Sequence, residues 1–189
     1  MRSQDGFSLP EVCVVLAIVL VLSAISIPNM AAVVSNARLH AGVSSMSGLL
    51  QNGRMLAVKK NKAMTVHFEA EDASIVGYVK QVLDTSERSG SDMQAQWEDP
   101  VSMMMTPAGV DAPDPLSTTV LGFTPEESIP SFNSRGLPCA YSSGICPNRG
   151  FVYYFKDTSR PDGQGWAALS ITPAGRIAKW FWHSGQWVS

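Results

Sequence analysis

Residues 7–28 read FSLPEVCVVLAIVLVLSAISIP, and between Val12 and Ile27 nothing is charged and only Ser23 and Ser26 are polar. As a helix this stretch is about 33 Å long, and a hydrocarbon core is about 30 Å thick, so the run predicts a helix able to cross a bilayer. Glu11 stands at its head, where a lone carboxylate facing lipid is costly and calls for a partner. Only MRSQDG precedes Phe7, ending in Gly6. An ordinary secretory signal places bases before the apolar run and a small-residue site after it. Ala24-Ile25-Ser26 offers such a site as an alternative reading.

Beyond this run the helical pattern continues. Leu39, Val43, Met46, Leu50, Gly53 and Ala57 recur at steps of four and three, a one-sided stripe. Arg38, Gln51, Arg54 and Lys59 fall off it. Gly42, Gly48 and Gly53 each weaken an isolated helix by about 1 kcal/mol relative to Ala, so this half is expected to depend on packing against a sheet. An end near Lys60 to Lys62 follows from bases at the negative end of the dipole, with Asn61 as cap. Pro28 reads either as a terminator or as a kink in a continuing helix.

After the helix come short runs with strand character: Met64 to Phe68, Ile75 to Val82, Val101 to Met105, Thr119 to Phe123, Gly150 to Phe155, Trp166 to Ile171 and Gly175 to Trp182. Turn clusters such as SERSGSD, NSRGLP, RPDGQG and HSGQ separate them. One helix followed by many strands predicts an α+β fold: a long N-terminal helix, transmembrane in its first half and amphipathic in its second, packed on an antiparallel β-sheet head. The acidic, Pro-rich and Met-rich stretch 84–118 is the least patterned part and reads as a long surface loop or insert. The resulting organisation is 1–6 leader, 7–28 apolar helix, 29–62 amphipathic continuation and 63–189 head.

The net charge of -2 and hydrophobic content of 45% select no partner. Charge is segregated instead. Residues 12–68 hold five bases and no acid, 69–127 hold twelve acids against Lys80 and Arg88, and 128–189 hold six bases against Asp157 and Asp162. Of the three cysteines, Cys13 sits in the apolar run and reads as a small hydrophobe. Cys139 and Cys146 lie in PCAYSSGICPNRG, a loop composition suited to a short disulfide-closed loop in an oxidising compartment. Two free thiols or half of a metal site are the competing readings.

No catalytic pattern emerges. His40, His67 and His183 lack HxH or HExxH spacing, GxSxG does not occur, and the Gly-rich pieces lack a phosphate-binding lysine. Neither an enzyme nor a cofactor or metal site is expected.

The string GFSLPEV, with an apolar helix ending in IPN, resembles the prepilin N-terminus of type IV pilins and type II secretion pseudopilins. The resemblance implies a minor pilin or pseudopilin, cut by a membrane-embedded peptidase after Gly6 and N-methylated at Phe7; a membrane-anchored periplasmic domain with no filament role is the alternative reading of the apolar run. It implies as partners other pilin or pseudopilin subunits, prepilin peptidase, the inner-membrane assembly platform and the lipid bilayer. It places the chain in the bacterial inner membrane, single-pass with a periplasmic head, and then in a pilus or pseudopilus. Glu11 takes the fifth place of the mature chain, and Pro28 the place where the family kinks a continuing helix. Pro10 departs from the family's commonest aliphatic, which the first helical turn tolerates. Physically, an amine freed at Phe7 of one subunit and the Glu11 carboxylate of another would neutralise each other in an apolar filament core and set register.

A looser resemblance, carried by LLQNGRMLAVKKNKAMTVHF, FNSRGLP and ITPAGRIAKW, is to the H-type pseudopilin (GspH) and FimT/FimU minor pilin branch. The FimT side includes DNA-uptake pilins with a basic C-terminal segment. GRIAKWFWHSGQW is similar, with Arg176 and Lys179 as candidate DNA contacts beside Trp180, Trp182 and Trp187. Strand alternation, however, puts Lys179 on the face opposite Arg176, Trp180 and Trp182, so the tryptophans read equally well as core.

Overall fold

The computed structural model describes residues 8–71, 74–98, 101–104, 125–126, 130–161 and 163–189, apart from the side chains of 25–29, 31–32, 70–71, 98, 103–104 and 125–126. Its helix α1 runs over Leu9–Lys60. Two compact units divide the chain, Met1–Ala37 and Arg38–Ser189.

In the second unit, α1 residues from Leu39 onward enter a core built with two sheets. The first sheet has the order β3-β2-β1-β6-β7, formed by Met93–Glu98, Ser74–Gln81, Met64–Glu71, Ser131–Phe132 and Pro138–Cys139. The second has the order β11-β10-β9-β8-β4, formed by Gln186–Val188, Ile177–His183, Trp166–Ile171, Gly150–Asp157 and Val101–Met104. The ladders are antiparallel, except that the two-residue β5 (Pro125–Glu126) pairs parallel to β8.

Register follows the alternation of apolar side chains, because a one-residue slip would turn every inward residue out. Val66 faces Val79 across the β1–β2 ladder, and Tyr153 faces Leu169 across β8–β9. Leu39, Val43, Met46, Leu49, Leu50 and Ala57 of α1 bury against Met64, Val66, Val79, Trp97 and Phe132 on one side and Phe151, Phe155, Leu169 and Ile171 on the other. Each Val, Leu, Ile, Phe or Met side chain among them contributes about 1.5–3 kcal/mol on full burial. Behind the second sheet lies a smaller cluster of Val152, Tyr154, Trp166, Ala168 and Trp187, with Trp180 and Trp182 packed on it.

Glycine sets how closely helix and sheet approach. A Cβ on Gly77 would lie 2.6 Å from Leu49 Cδ2, and one on Gly42 would lie 2.9 Å from Trp97 Cδ1. The Trp97 indole donates to the Gly42 carbonyl at 2.6 Å. At its C-terminus α1 stops where Asn61 turns left-handed (φ 52°) and the Lys62 amide donates to the Ala57 carbonyl at 3.2 Å. That is the chemistry of a left-handed helix cap.

The expected fold needs correcting in three respects. The head is not one sheet: residues of two sheets share a core with the second part of α1. No helix is long and apolar enough to cross a membrane among the described residues, so the transmembrane first half is not found. Nor is the helix one element of a head: among the described residues its buried positions begin at Leu39, and its portion up to Ala37 belongs to the other unit. Strands also form where none was expected. β3 occupies part of 84–118, and β11 follows the HSGQ turn. The expected strand Thr119 to Phe123 lies outside the described residues.

Candidate assembly surface

At the start of α1, the Ser8 carbonyl accepts from the amides of Glu11 (3.0 Å) and Val12 (3.2 Å). Pro10 sits in this first turn, where no donor is needed, and the Glu11 carboxylate faces the positive end of the helix dipole. Every described side chain from Leu9 to Ala24 is exposed, with Leu9 at 79% and Leu20 at 71%. Glu11 is the sole charged residue between Leu9 and Ala37. Soluble monomers rarely expose more than a few hundred Å² of contiguous apolar surface. Gly6 and Phe7 lie outside the described residues, and Pro28 lies within α1 with its side chain outside them.

In the second unit, Arg54 organises two loops that the sequence placed far apart. Its Nη1 donates to the Gly175 carbonyl at 3.0 Å. Gly136 (φ 75°) and Gly175 (φ 84°) both lie against its side chain, where a Cβ would come within 3.0 Å and 3.1 Å of Arg54 atoms. Thus FNSRGLP and ITPAGR close on one half-buried guanidinium. The sequence signal was an arginine off the apolar stripe, and nothing in its spacing singled it out. Cys139 and Cys146 form a disulfide with Cα atoms 5.1 Å apart, closing a hairpin in which Cys139 bridges Asn148.

The candidate DNA contacts are not brought together. Arg176 is exposed and follows a turn in which its amide donates to Thr172 Oγ1 at 3.1 Å. Lys179 is on the other face of β10, where Nζ donates to Ser44 Oγ of α1 at 3.2 Å. Trp180 and Trp182 pack on the second cluster, Trp180 donating to Ser170 Oγ at 2.9 Å and Trp182 meeting Trp187 edge-on at 5.4 Å.

Lys80 is buried on the outer face of the first sheet. Nζ donates to Ser86 Oγ (2.9 Å) and to the carbonyls of Ser86 and Glu87, with Asp92 at 3.8 Å. These bonds hold the 82–92 loop over Val76 and Tyr78, which are buried although they face away from the helix. Tyr78 donates to Glu69 Oε1 at 2.6 Å, and this bond, with burial second, pushes its phenol up to about 12. Burial and, next, the Lys80 charge hold the His67 imidazole below its ordinary value, with Glu69 opposing. Hydrogen bonds from Ser86 hold Asp84 below the usual carboxylate range. These contacts tie the 82–92 loop to β2. His40 stacks on Phe181 and His67 on Tyr78, and no group of three or more metal-ligating side chains gathers among the described residues.

Comparison with protein-family models, curated proteins and solved structures finds no match to this chain.

Proposed function

We propose that this chain is a structural subunit of a helical filament of the bacterial envelope, a minor pilin or pseudopilin processed between Gly6 and Phe7. The observation that carries the reading is α1 of the first unit, whose apolar side chains are exposed from Leu9 to Ala24 around one carboxylate. Such a surface is stable in water only when covered, and helices of the same kind in a filament core cover it without leaving backbone groups unpaired. The G-F-S-L-P-E string supports the processing step. The Cys139–Cys146 disulfide supports a head outside the cytoplasm, where such bonds persist. Prepilin peptidase, an inner-membrane assembly platform and other pilin or pseudopilin subunits are the partners this implies. Of the two bases on which a DNA-capturing alternative depends, Lys179 is engaged with Ser44, and nothing in the arrangement favours that alternative.

Intact-mass analysis of the protein extracted from cells tests the proposal. A chain beginning at Phe7 with one added methyl group is expected. A chain that retains Met1, or one cut after Ser26 and beginning at Ile27, overturns it.

A further inference from the structure

On the outer face of the first sheet, β1 and β2 gather a small set of charged and titratable groups. β1 contributes His67 and Glu69 and β2 contributes Tyr78 and Lys80, with His67 opposite Tyr78 in the ladder and Glu69 opposite Val76. The His67 and Tyr78 rings stack with centroids 5.3 Å apart. The Tyr78 hydroxyl donates to Glu69 Oε1 at 2.6 Å, and the Lys80 ammonium stands 6.0 Å from the centre of the Tyr78 ring. The 82–92 loop adds Arg88, with Nε 3.9 Å from Glu69 Oε2, and Asp92, with Oδ2 3.8 Å from Lys80 Nζ. From the neighbouring β3 and β6 come only the uncharged Gln94, Gln96 and Ser131. While the imidazole is neutral, the described charges balance: Lys80 and Arg88 stand against Glu69 and Asp92.

The loop is held by these same groups. Lys80 is 4% exposed, and its ammonium is bound by Ser86 Oγ and by the Ser86 and Glu87 carbonyls. The Arg88–Glu69 pair is a second tie. We propose that the 82–92 loop is a strap released by acid: a proton on His67 adds a third cation to two that two carboxylates already balance, and the loop lifts. Glu69 attracts the new charge, but its oxygens are already engaged by Tyr78 and Arg88. Lifting the loop carries Arg88 away and lets Lys80 into water, where its field is far weaker than among buried groups. Linkage gives the same sign. Burial first, and the Lys80 charge second, hold His67 below its ordinary value, with Glu69 opposing. A closed loop therefore binds the proton less readily than an open one, so closure is fully favoured above about pH 6.5 and weakens as pH falls through the lower value of the closed form. Tyr78, pushed up to about 12, stays neutral throughout. Opening bares Val76 and the Tyr78 ring, which are buried in the closed form.

This switch belongs to the second unit alone and stands apart from the filament reading. The test is hydrogen exchange of the 82–92 amides in the full chain at about pH 5.5 and about pH 7.5, corrected for the chemical exchange rate at each pH. Beside the wild type stands His67→Phe, which keeps a ring on Tyr78 and takes no proton. Corrected rates in the wild-type loop are expected to rise about tenfold or more at the lower pH, while core amides such as those of Val66 and Leu169 hold. In His67→Phe, and in His67→Gln as an uncharged variant without the ring, the loop rates should change less than about twofold between the two pH values. Lys80→Met should give fast loop exchange at both. A wild-type loop whose rates do not rise overturns the inference, and so does an equal rise in the His67 variants. Protection of the loop in Lys80→Met at the higher pH overturns it as well.

Discussion

Arg54 shows how much one side chain can hold. It comes from the helix, donates to the Gly175 carbonyl and leaves room only for glycine at Gly136 and Gly175. Arg54→Ala is expected to cost about 1–3 kcal/mol, a charged donor to a part-buried carbonyl being worth that order, read as a lower denaturation midpoint with unchanged slope. His67 sets an acid dependence whose sign follows from its depressed value: the unfolded chain binds the proton more readily than the folded one. This contribution to stability is therefore intact above about pH 6.5, the ordinary value, and is lost as pH falls below it through the folded value. His67→Gln should flatten that part of the stability profile, and an unchanged slope below pH 6.5 would assign it elsewhere. None of this was visible in sequence, because the groups that converge on Arg54 and His67 come from different strands and turns.

At the level of elements, the helix stripe, its end at Asn61 and most long strands were legible, since each depends on local alternation or capping. β3 was not. MQAQWE alternates as a strand should, with Ala95 and Trp97 turned to the core, but acids on either side and prolines after it give the surrounding sequence the texture of a loop. Pairing with β2 supplies what local propensity did not. The glycines of α1 separate into two kinds with opposite expected effects. Gly42→Ala should destabilise by about 1–3 kcal/mol, because Trp97 has to shift. Gly48→Ala should stabilise the isolated chain by about 0.5–1 kcal/mol, nothing among the described residues standing in the way of its Cβ. Thermal melts of the two variants distinguish these outcomes. Opening the Cys139–Cys146 loop with paired serines is expected to cost about 2–3 kcal/mol from restored chain entropy. Lys80→Met should free the 82–92 loop, seen as faster cleavage there by a protease while the core remains protected.

At the scale of the molecule, the sequence's segregation into an apolar helix and a β-rich body corresponds to two compact units, but the dividing point lies at 37/38, inside the helix, and not at its end. Periodicity could not place it, because α1 is helical on both sides and only the partners of Leu39 onward, distant in sequence, decide where burial begins. The candidate site was legible where it depends on one carboxylate in an apolar run, and illegible where it depends on His67, Lys80 and a loop that meet only once β1 and β2 pair. The chain carries its own probe of the central claim, that its N-terminal helix is covered by helices of its own kind. Cys13 is exposed and is the one thiol left free when Cys139 and Cys146 are joined. Maleimide labelling of sheared, membrane-free filaments should find Cys13 unreactive, and dispersal in detergent should restore its reaction. Equal labelling in the two states would contradict the account.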